Sequence, residues 1–330
     1  MKTHPKEVKG KIVSHRRITG EYYRMRIACP EISRLALPGQ FIMLRVQEGC
    51  DPFLRRPFSF SRILRPAKRK ARGEPEGEVE ICYQVVGRGT ERMTHLKEGE
   101  RVDVLGPLGR GFWREEGRER RLILVGGGIG IAPLLPWAEQ LAGRGGVRRG
   151  EKNEGFPQVE VLLGAKKKER ILGRQEFKKM GLDPQIATED GSLGVSGMAT
   201  DLLERELLSK GHENSTIYAC GPMGMLARVA QIAEQFDIAC QVLLESRMAC
   251  GVGACLGCAV KIREKEKREE TEEETVRAKT SGKKVCDSEE NPEVAAQEDL
   301  AARVLEPPSF RYGQACKEGP VFRAGDILWD

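Results

Sequence analysis

Three cysteines lie within nine residues of this 330-residue chain, in the segment CGVGACLGC. Four residues separate Cys250 from Cys255, and two separate Cys255 from Cys258. The glycines between them leave little side-chain bulk, so the segment must fold as a tight loop whose backbone N–H groups can point at the sulfur atoms. This spacing is that of three of the four thiolates that hold a plant-type 2Fe-2S cluster, and it predicts such a cluster here.

The fourth ligand has to come from farther along the chain, where two cysteines are candidates. Cys286 lies in a charged segment that is almost free of apolar residues to hold it rigidly. Cys316 lies in QACKEGPVF, close to the apolar Tyr312 and Phe322. Because a cluster ligand needs a fixed position, we favour Cys316 over Cys286.

A structural zinc site is the alternative use of these thiolates, because Zn²⁺ also takes four Cys ligands. A zinc ribbon normally has two separate two-residue spacings, whereas the first gap here is four residues long and rich in glycine. The spacing therefore favours the iron-sulfur cluster. With zinc instead, the chain would be a non-enzymatic binding module whose metal only holds the C-terminal fold.

The composition argues against several other classes of protein. Lys and Arg number 55 against 49 Asp and Glu, and aromatic residues make up 5% of the chain, so no cluster of basic and aromatic residues indicates nucleic-acid binding. The N-terminus lacks the apolar stretch of a signal peptide, and no run approaches the roughly 20 apolar residues of a membrane span. We expect a cytoplasmic protein with no nucleic-acid or membrane partner, whose ten cysteines form no disulfide framework.

The length suits about two or three domains, and the pattern of the sequence changes twice along the chain. Up to about Phe112, short apolar runs such as YYRMRIAC, FIMLRV and EVEICYQVVG alternate with turns, which predicts a small antiparallel β-barrel domain over 1–115. The stretch LGPLGRGF is rich in Gly and Pro and predicts neither a helix nor a central strand. It precedes the first boundary, near Trp113.

A second domain, over 116–240, alternates buried strands with helices. RLILVGGGIGIAPLLPWAEQLA reads as a strand, a glycine turn and a helix, and VEVLLGAKK and STIYACGP continue the pattern of a parallel α/β sheet. Residues 241–330 hold the cysteine motif and form the third domain. Within them, the charged stretch at about 263–305 is predicted to be disordered, and another charged insertion at 65–78 is predicted to extend a barrel hairpin.

Two segments of the predicted barrel suit phosphate groups. LRRPFSFS places Arg56 and Ser59 at the end of a strand, where a guanidinium can pair with a pyrophosphate and a hydroxyl can bond to a phosphate or a flavin edge. VVGRGT puts Gly87, Gly89 and Thr90 in a turn that starts a helix, which exposes backbone N–H groups to an anion. Two such sites in one barrel predict a dinucleotide such as FAD.

Two glycine turns follow buried strands of the α/β domain. LILVGGGIGIAP opens a helix directly after a strand, which is the setting of a dinucleotide site, although the motif departs from GxGxxG. YACGPMGML repeats the arrangement, with a helix from about Met223. The candidate nucleotide-binding residues are Gly126, Gly128, Gly130, Cys220, Gly221 and Pro222.

In this order, RRPFSFS, the Gly89-Thr90 turn, GPLGRGF, GGGIGIAP and YACGPM resemble the ferredoxin-NADP reductase superfamily over most of residues 8–240. With ESRMACGVGACLGCAVK and ACKEGPVF added, the chain apart from its charged insertions resembles the electron transfer subunits of dihydroorotate dehydrogenase B. The resemblance implies FAD in the barrel, NAD in the α/β domain and a 2Fe-2S cluster in the C-terminal domain. The FAD contacts that it implies are Arg56, Pro57, Phe58, Ser59, Cys82, Tyr83, Gln84, Gly89 and Thr90. The cluster ligands that it implies are Cys250, Cys255, Cys258 and Cys316.

The resemblance also implies a catalytic partner that holds FMN and oxidises dihydroorotate to orotate in pyrimidine biosynthesis, in a heterotetramer with two copies of each chain. Electrons would run from FMN through the cluster to FAD and leave as hydride on NAD. NAD takes two electrons at once and a cluster passes one at a time, so a flavin is needed between them. No catalytic acid or base is expected in this chain. The alternative is a flavin subunit of a sulfhydrogenase or of a ferredoxin-linked NAD(P)H oxidoreductase.

Overall fold

The structure is a computed structural model, and it describes residues 4–46, 49, 51–66, 77–115, 119–143, 157–264 and 309–329. The stretch predicted to be disordered falls outside these ranges from residue 265 onward, and so does Cys286. Most of the predicted hairpin extension, residues 67–76, is also outside them.

The N-terminal part of the chain is a closed antiparallel barrel of six strands. Along β2 (Tyr22–Ala28) the side chains alternate, so that Met25 and Ile27 face the barrel core while the neighbouring Arg24 and Arg26 face outward. Around the barrel the strand order is β1-β2-β5-β4-β3-β6. Its elements are β1 (Lys6–Thr19), β2 (Tyr22–Ala28), α1 (Pro30–Leu35), β3 (Phe41–Arg45), β4 (Arg56–Leu64), β5 (Glu78–Gln84), α2 (Arg88–Met93) and β6 (Arg101–Leu108).

The barrel confirms the predicted fold class, but one local prediction was wrong. The Gly- and Pro-rich stretch was expected to form no central strand, whereas β6, which pairs on both sides in the closed barrel, continues through Gly106 and Pro107 to Leu108. Pro107 costs no ladder bond there, because β3 pairs Phe41 with Leu108 and Met43 with Leu105 and skips the residues between. Tertiary pairing at this bulge overrides the local tendency of the sequence.

The second part of the chain is a seven-stranded sheet in the order β10-β9-β8-β7-β11-β12-β15, parallel except for β15. All seven residues of β7 are buried, as expected for a central parallel strand covered on both faces. Its strands are β7 (Arg121–Gly127), β8 (Gln158–Ala165), β9 (Gln185–Thr188), β10 (Val195–Ser196), β11 (Ser215–Cys220), β12 (Ala239–Leu243) and β15 (Val321–Arg323). Its helices are α3 (Leu134–Gly143), α4 (Arg174–Lys179), α5 (Ala199–Lys210) and α6 (Met223–Gln235).

The strand order places a ligand crevice at a defined point of this sheet. From β7 the chain goes to β8 on one side, and β11 later pairs on the other side of β7. The carboxyl ends of β7 and β11 therefore flank a topological switch point, where α/β sheets bind their ligands. The 3₁₀ turn Gly128–Ile131 follows β7 at this edge, and the Gly221-Pro222 turn follows β11.

The C-terminal residues pack against both larger parts. β13 (Ala259–Arg263) and β14 (Phe310–Gln314) pair as antiparallel strands, and β15 extends the large sheet beside β12. At the open end of the β13–β14 pair, the backbone N–H of Glu264 donates to the carbonyl of Ser309 at 3.0 Å. Met43 and Leu108 of the barrel share one apolar core with Cys258 and Cys316.

Among the helices that the structure describes, none combines the length and the apolar character required to cross a lipid bilayer.

Candidate functional site

A cavity of about 310 Å³ lies between the barrel and the glycine turn that follows β7. Its barrel wall comes from β4, β5 and the start of α2, and its other wall comes from Ile129 to Pro133 and from the residues after β12. The sequence-predicted residues that line it are Arg56, Pro57, Phe58, Ser59, Cys82, Tyr83, Gln84 and Thr90. Gly89 is placed directly behind this wall.

Gly89 makes room for the side chain of Arg56. A Cβ at position 89 would come within 2.5 Å of Nε of Arg56. Nη1 of Arg56 also donates to the carbonyl of Leu54 at 2.5 Å, which holds the guanidinium near the cavity. The glycine therefore allows a charged group and a helix start to lie against each other.

Thr90 organises the turn at the start of α2. Its Oγ1 donates to the carbonyl of Gly87 at 2.9 Å and accepts from the backbone N–H groups of Val86 and Gly87 at 2.9 and 3.2 Å. The side chain is 8% exposed, so these bonds are largely protected from water. The turn is rigid and lies at the mouth of the cavity, where its free backbone N–H groups suit a phosphate.

The barrel floor of the cavity is aromatic and rigid. Tyr83 is stacked on Tyr23 with ring centroids 5.5 Å apart, and its ring also meets Phe58 at 5.8 Å. Nε2 of His15 lies 2.9 Å from the Tyr83 hydroxyl. Burial raises the pKa of Tyr83 and of Cys82, so both groups stay neutral at pH 7. An apolar, neutral wall of this kind suits a flat heterocycle.

A second cavity, of about 330 Å³, lies at the carboxyl edge of the large sheet. Gly128, Gly130, Gly221 and Pro222 line it, as predicted from the two glycine turns. Gly126 and Cys220 do not line it. Both belong to the buried strand ends, and Cys220 is fully buried.

Gly130 is the residue that lets the two turns approach each other. A Cβ there would lie 2.6 Å from the carbonyl carbon and oxygen of Cys220 and 2.6 Å from the amide nitrogen of Gly221. Gly128 has a positive φ of 56°, which a glycine adopts without strain. Close backbone approach and a left-handed turn are the two functions that glycines serve in dinucleotide sites.

The two cavities adjoin, and Gln84, Ile129 and Glu245 line both of them. Nε2 of Gln84 donates to Oε1 of Glu21 at 2.8 Å, and Arg170 donates to the same oxygen at 2.8 Å. The shared lining residues leave the two cavities open to each other, which suits hydride transfer between a ring bound in one and a ring bound in the other.

Sequence reasoning did not single out Glu245, Lys166 or Arg170, all of which line the second cavity. A usable signal existed for two of them. Glu245 closely follows the buried strand β12, and Lys166 directly follows β8, so both lie at the carboxyl edge where such sheets bind ligands. Arg170 is the last residue of the 3₁₀ turn Lys168–Arg170 and carries no comparable signal.

The structure brings Cys250, Cys255, Cys258 and Cys316 near one another as two pairs of interacting side chains. Cys250 interacts with Cys255, and Cys316 interacts with Cys258. Within the ranges described, no three His, Cys, Asp or Glu side chains converge as the ligands of one ion would. A 2Fe-2S cluster has two irons and four thiolate ligands, so two adjoining pairs suit it.

Backbone groups around these sulfurs favour thiolates. The N–H of Val252 donates to Sγ of Cys250 and the N–H of Cys316 donates to Sγ of Cys258, each at 3.4 Å. Desolvation alone would raise the pKa of Cys250, but hydrogen bonds from Val252 and its neighbours lower this pKa to about 6. Burial and the adjacent Cys258 raise the pKa of Cys316 to about 12. The loop thus stabilises negative charge on Cys250, whereas Cys316 depends on a cation to become a thiolate.

Backbone conformation and close contacts require glycine at two positions of the cysteine loop. Gly251 and Gly253 have positive φ values of 74° and 82°. A Cβ on Gly253 would lie 2.8 Å from Oε1 of Gln314, whose Nε2 donates to the Gly253 carbonyl at 2.9 Å. β14 therefore holds the loop in place, and Cys316 follows β14 by two residues.

Two family models match the chain. One, described as the iron-sulfur cluster binding domain of dihydroorotate dehydrogenase B, matches residues 245–287. The other, described as an oxidoreductase NAD-binding domain, matches residues 124–231. The first range contains Cys250, Cys255 and Cys258 and ends just past Cys286.

Solved structures of related fold cover all or most of this chain. The structure of an NADH-dependent reduced ferredoxin-NADP oxidoreductase has a TM-score of 0.69 and 25% sequence identity to this chain. The match covers 100% of this chain and 92% of the oxidoreductase chain. A ferredoxin NADP⁺ reductase from Neisseria gonorrhoeae, with bound FAD and NADP, has a TM-score of 0.55 and 19% identity, with coverage of 70% and 92%. The second likeness concerns the fold alone.

Curated relatives match most of the chain and carry one name, dihydroorotate dehydrogenase B (NAD(+)), electron transfer subunit. The protein of that name from Desulforamulus reducens is 39% identical over 240 residues, which is 73% of this chain and 83% of the relative. The one from Caldanaerobacter subterraneus subsp. tengcongensis is 31% identical over 98% of this chain and 99% of the relative. The chain therefore belongs to the family of dihydroorotate dehydrogenase B electron transfer subunits.

Proposed function

We propose that this chain is the subunit of an NAD-dependent dihydroorotate dehydrogenase that passes electrons from a catalytic partner to NAD⁺. The observation that carries the proposal is the meeting of the two cavities at Gln84, Ile129 and Glu245. Met248, two residues before Cys250, lines the first cavity, so the cysteine loop adjoins it as well. The three sites thus form one continuous series.

The electron transfer proposed for these three sites depends on the first cavity, which lies between the cysteine loop and the second cavity and is proposed to bind FAD. When bound, FAD takes single electrons from the cluster side and gives a hydride to NAD⁺. The chain's own residues bind and orient: Arg56 and the Gly87–Thr90 turn suit the pyrophosphate of FAD, and Phe58 and Tyr83 support its ring. Gly128 and Gly130 let the NAD backbone approach the helix after β7.

We assign the cluster to Cys250, Cys255, Cys258 and Cys316. The hydrogen bond from the backbone N–H of Cys316 to Sγ of Cys258 supports this fourth ligand, whereas the matched family range ends near Cys286. This contact supports Cys316, because a hydrogen bond between two residues shows directly that they lie near each other. Cys286 lies outside the described residues.

The division of labour follows the predicted boundaries, with an FAD-binding domain over 1–115, an NAD-binding domain over 116–240 and a cluster domain over 241–330. Cys255 is exposed, and its neighbours Leu256 and Val252 are 67% and 49% exposed. This apolar rim suits a partner that covers the cluster. In the proposal the partner carries FMN, two copies of each chain form a heterotetramer, and the assembly is cytoplasmic.

Co-expression with an FMN-containing dihydroorotate dehydrogenase subunit tests the proposal. We expect the two chains to copurify, the complex to contain FAD and two irons per copy of this chain, and dihydroorotate to reduce NAD⁺. The complex without this chain should lose the NAD-linked reaction and keep reduction of an artificial dye. A pair that forms and carries both flavins but does not oxidise dihydroorotate would contradict the proposal.

The second candidate is a subunit of a ferredoxin-linked NAD(P)H oxidoreductase or a sulfhydrogenase. It is favoured by one observation, the full-length likeness to the NADH-dependent reduced ferredoxin-NADP oxidoreductase structure. Reduced ferredoxin or polysulfide in place of dihydroorotate in the same assay separates the two candidates.

A further inference from the structure

The side chain of Gln84 lies on the wall shared by the first cavity, or flavin cavity, and the second cavity, or nicotinamide cavity. Gln84 is the last residue of β5 and is paired with Tyr22 on β2. Of the other two described residues that line both cavities, Ile129 is apolar and Glu245 is a carboxylate. Among the residues that the structure describes, Gln84 is therefore the one neutral hydrogen-bonding side chain on the shared wall.

Contacts with Glu21 fix the orientation of the Gln84 amide. Oε1 of Glu21 accepts a hydrogen bond from Nη2 of Arg170 at 2.8 Å. A guanidinium has donors only, so this carboxylate oxygen is an acceptor. The same oxygen lies 2.8 Å from the Gln84 amide, and the group that faces it has to be the NH₂ group, since two acceptors would repel each other.

With the NH₂ group turned to Glu21, the side-chain carbonyl oxygen of Gln84 is left without a partner. It makes no hydrogen bond to any residue that the structure describes. The side chain is half-buried, so a ligand that fills the cavities would displace water from this oxygen. An acceptor that loses water without gaining a donor costs free energy, so a fitting ligand needs an N–H or O–H group at this point.

The residues that orient Gln84 lie on the nicotinamide side of the wall. Arg170 and Tyr22 line the nicotinamide cavity and do not line the flavin cavity. Arg170 belongs to the α/β domain, whereas Glu21 and Gln84 belong to the barrel, so the orientation is imposed across the boundary of the two parts. The ligand of the nicotinamide cavity is therefore the better match for the free carbonyl oxygen.

The proposed function, on which this inference rests, brings the nicotinamide ring to the shared wall, because hydride transfer requires the two rings to lie side by side. This ring carries a carboxamide whose NH₂ group is a hydrogen-bond donor. A neutral carbonyl acceptor suits the charged ring of NAD⁺ and the neutral ring of NADH equally. The chemistry of the ligand thus complements the oriented amide.

We propose that Gln84 determines specificity for the nicotinamide carboxamide, which donates a hydrogen bond from its NH₂ group to Oε1 of Gln84. Glu21 and Arg170 are positioning residues, which keep the Gln84 amide turned with its oxygen toward the ligand. Without them the amide could rotate and present its NH₂ group instead.

Glu245 is the other acceptor on the shared wall. Within the described part of the chain no hydrogen bond holds its side chain, whereas Gln84 is held by Glu21 before a ligand arrives. A group that is already oriented loses less conformational freedom on binding. This difference favours Gln84 as the acceptor, and the experiment separates the two residues.

The test measures binding to the oxidised full chain carrying FAD and its cluster, by isothermal titration calorimetry. The probes are NAD⁺ and two analogues. In 3-acetylpyridine adenine dinucleotide a methyl group replaces the carboxamide NH₂, and in thionicotinamide adenine dinucleotide sulfur replaces the carbonyl oxygen while the NH₂ group stays. The oxidised protein has no electrons to transfer, so the different redox potentials of the analogues do not affect the result.

Three variants are compared with wild type. Gln84→Met keeps the length of the side chain and removes the carbonyl oxygen. Glu21→Gln keeps Gln84 but gives it a neighbour that can turn either a donor or an acceptor toward it. Gln235→Met, at the exposed end of α6, is the matched control.

In wild type we expect the acetylpyridine analogue to bind about tenfold more weakly than NAD⁺, the effect of one hydrogen bond, and the thio analogue to bind within about threefold of NAD⁺. In Gln84→Met, NAD⁺ and the thio analogue should each bind about tenfold more weakly, while the acetylpyridine analogue should change by less than about twofold. Glu21→Gln should reduce the preference for NAD⁺ over the acetylpyridine analogue to about threefold. Gln235→Met should match wild type.

A preference for NAD⁺ that persists in Gln84→Met would assign the carboxamide to another acceptor, such as Glu245, and overturn the inference. Equal weakening of all three dinucleotides would indicate a general effect on the fold and would also overturn it. FAD affinity is measured in the same variants by fluorescence titration. Weakened FAD binding with an unchanged preference among the dinucleotides would assign the contact to the flavin instead.

Failure of the proposed function looks different from failure of this inference. In that case wild-type protein with bound FAD would bind none of the three dinucleotides. Wild-type protein that binds NAD⁺ and the acetylpyridine analogue equally well would leave the proposed function intact and overturn only the role of Gln84.

Discussion

At the scale of single residues, two glycines leave space for groups that reach the cofactor cavities, because glycine has no Cβ atom. Gly89 admits the Arg56 guanidinium, and Gly130 admits the backbone of Cys220 and Gly221. In both cases the glycine is needed for space, because neither residue has a positive φ. Replacement by alanine is therefore a sensitive test of each site.

Gly89→Ala should weaken FAD binding by about tenfold, which corresponds to roughly 1.4 kcal/mol. The added methyl would meet Nε of Arg56 at 2.5 Å and push this flexible side chain out of place. Fluorescence titration of FAD into the cofactor-free chain measures the change. Gly143→Ala, at the end of α3 and outside the flavin cavity, where a Cβ meets nothing within 4 Å, is the control and should bind FAD normally.

Gly130→Ala should destabilise the chain by about 1–3 kcal/mol, because the methyl meets backbone atoms at 2.6 Å and these cannot rotate away. Urea unfolding followed by circular dichroism measures the loss. Gly143→Ala, at the end of α3 with no neighbour within 4 Å, should be neutral or slightly stabilising. Equal stability of the two variants would contradict the argument.

Cys316→Ser should abolish the cluster, since one of four thiolates is lost, while Cys286→Ser should retain it. Iron content and the visible absorption of the purified protein report the outcome. The opposite pattern would transfer the fourth ligand to Cys286.

At the scale of elements, the pairing of β13 with β14 determines how the cluster loop is closed. Arg263 is the register partner of Phe310, and the next residues, Glu264 and Ser309, are joined by a backbone hydrogen bond. The two chain ends are thus as close as in a β-hairpin with a two-residue turn. The pairing of β13 with β14 therefore does not require residues 265–308, which are 44 residues long.

Replacement of residues 265–308 by Asn-Gly should give a folded protein with wild-type iron and FAD content, because Asn-Gly suits a two-residue hairpin turn. The replacement also removes Cys286, so a retained cluster would independently support Cys316. Metal analysis, flavin release and size-exclusion chromatography measure the result. A folded protein without iron would contradict the choice of Cys316, and a protein that does not fold would contradict the hairpin argument.

At the scale of the whole molecule, the barrel is held against the nucleotide-binding sheet by charged contacts. Nη2 of Arg24, on β2, donates to Oε1 of Glu176, on α4, at 2.8 Å, and Arg170 reaches Glu21 across the same boundary. Burial alone would raise the pKa of Glu176, but the hydrogen bond and charge of Arg24 lower it. This lowered pKa stabilises the folded chain above the ordinary pKa of glutamate, and the effect is lost as the pH falls through the folded value.

A double-mutant cycle of Arg24→Gln and Glu176→Gln should give a coupling of about 0.5 kcal/mol at pH 7, since the carboxylate is a third exposed and screened by water. Because protonation removes the charge of Glu176, the coupling should approach zero as the pH falls below its folded pKa. Urea unfolding of the four proteins at each pH measures it. A coupling that does not change with pH would show that the contact is not electrostatic.

Much of this molecule follows from local sequence. The glycine turns that directly follow buried strands predicted both turns of the candidate nucleotide site. Chain direction alone brings the carboxyl ends of parallel strands to one edge of a sheet. The spacing of Cys250, Cys255 and Cys258 predicted an iron-sulfur loop, because a few intervening residues fix how far apart the sulfurs can be. The fold class and the family were predicted on this basis, and both are confirmed.

Other features depend on contacts between distant parts of the chain, which local sequence does not encode. The continuation of β6 to Leu108 comes from pairing with β3, and the approach of Cys316 to Cys258 comes from the closing of β13 on β14. Glu245 was not predicted at all, because its significance lies in where the two cavities meet. The sequence determined the ligand types and the loops that present them, and the tertiary structure decided which of these groups meet, since that depends on packing between separate elements.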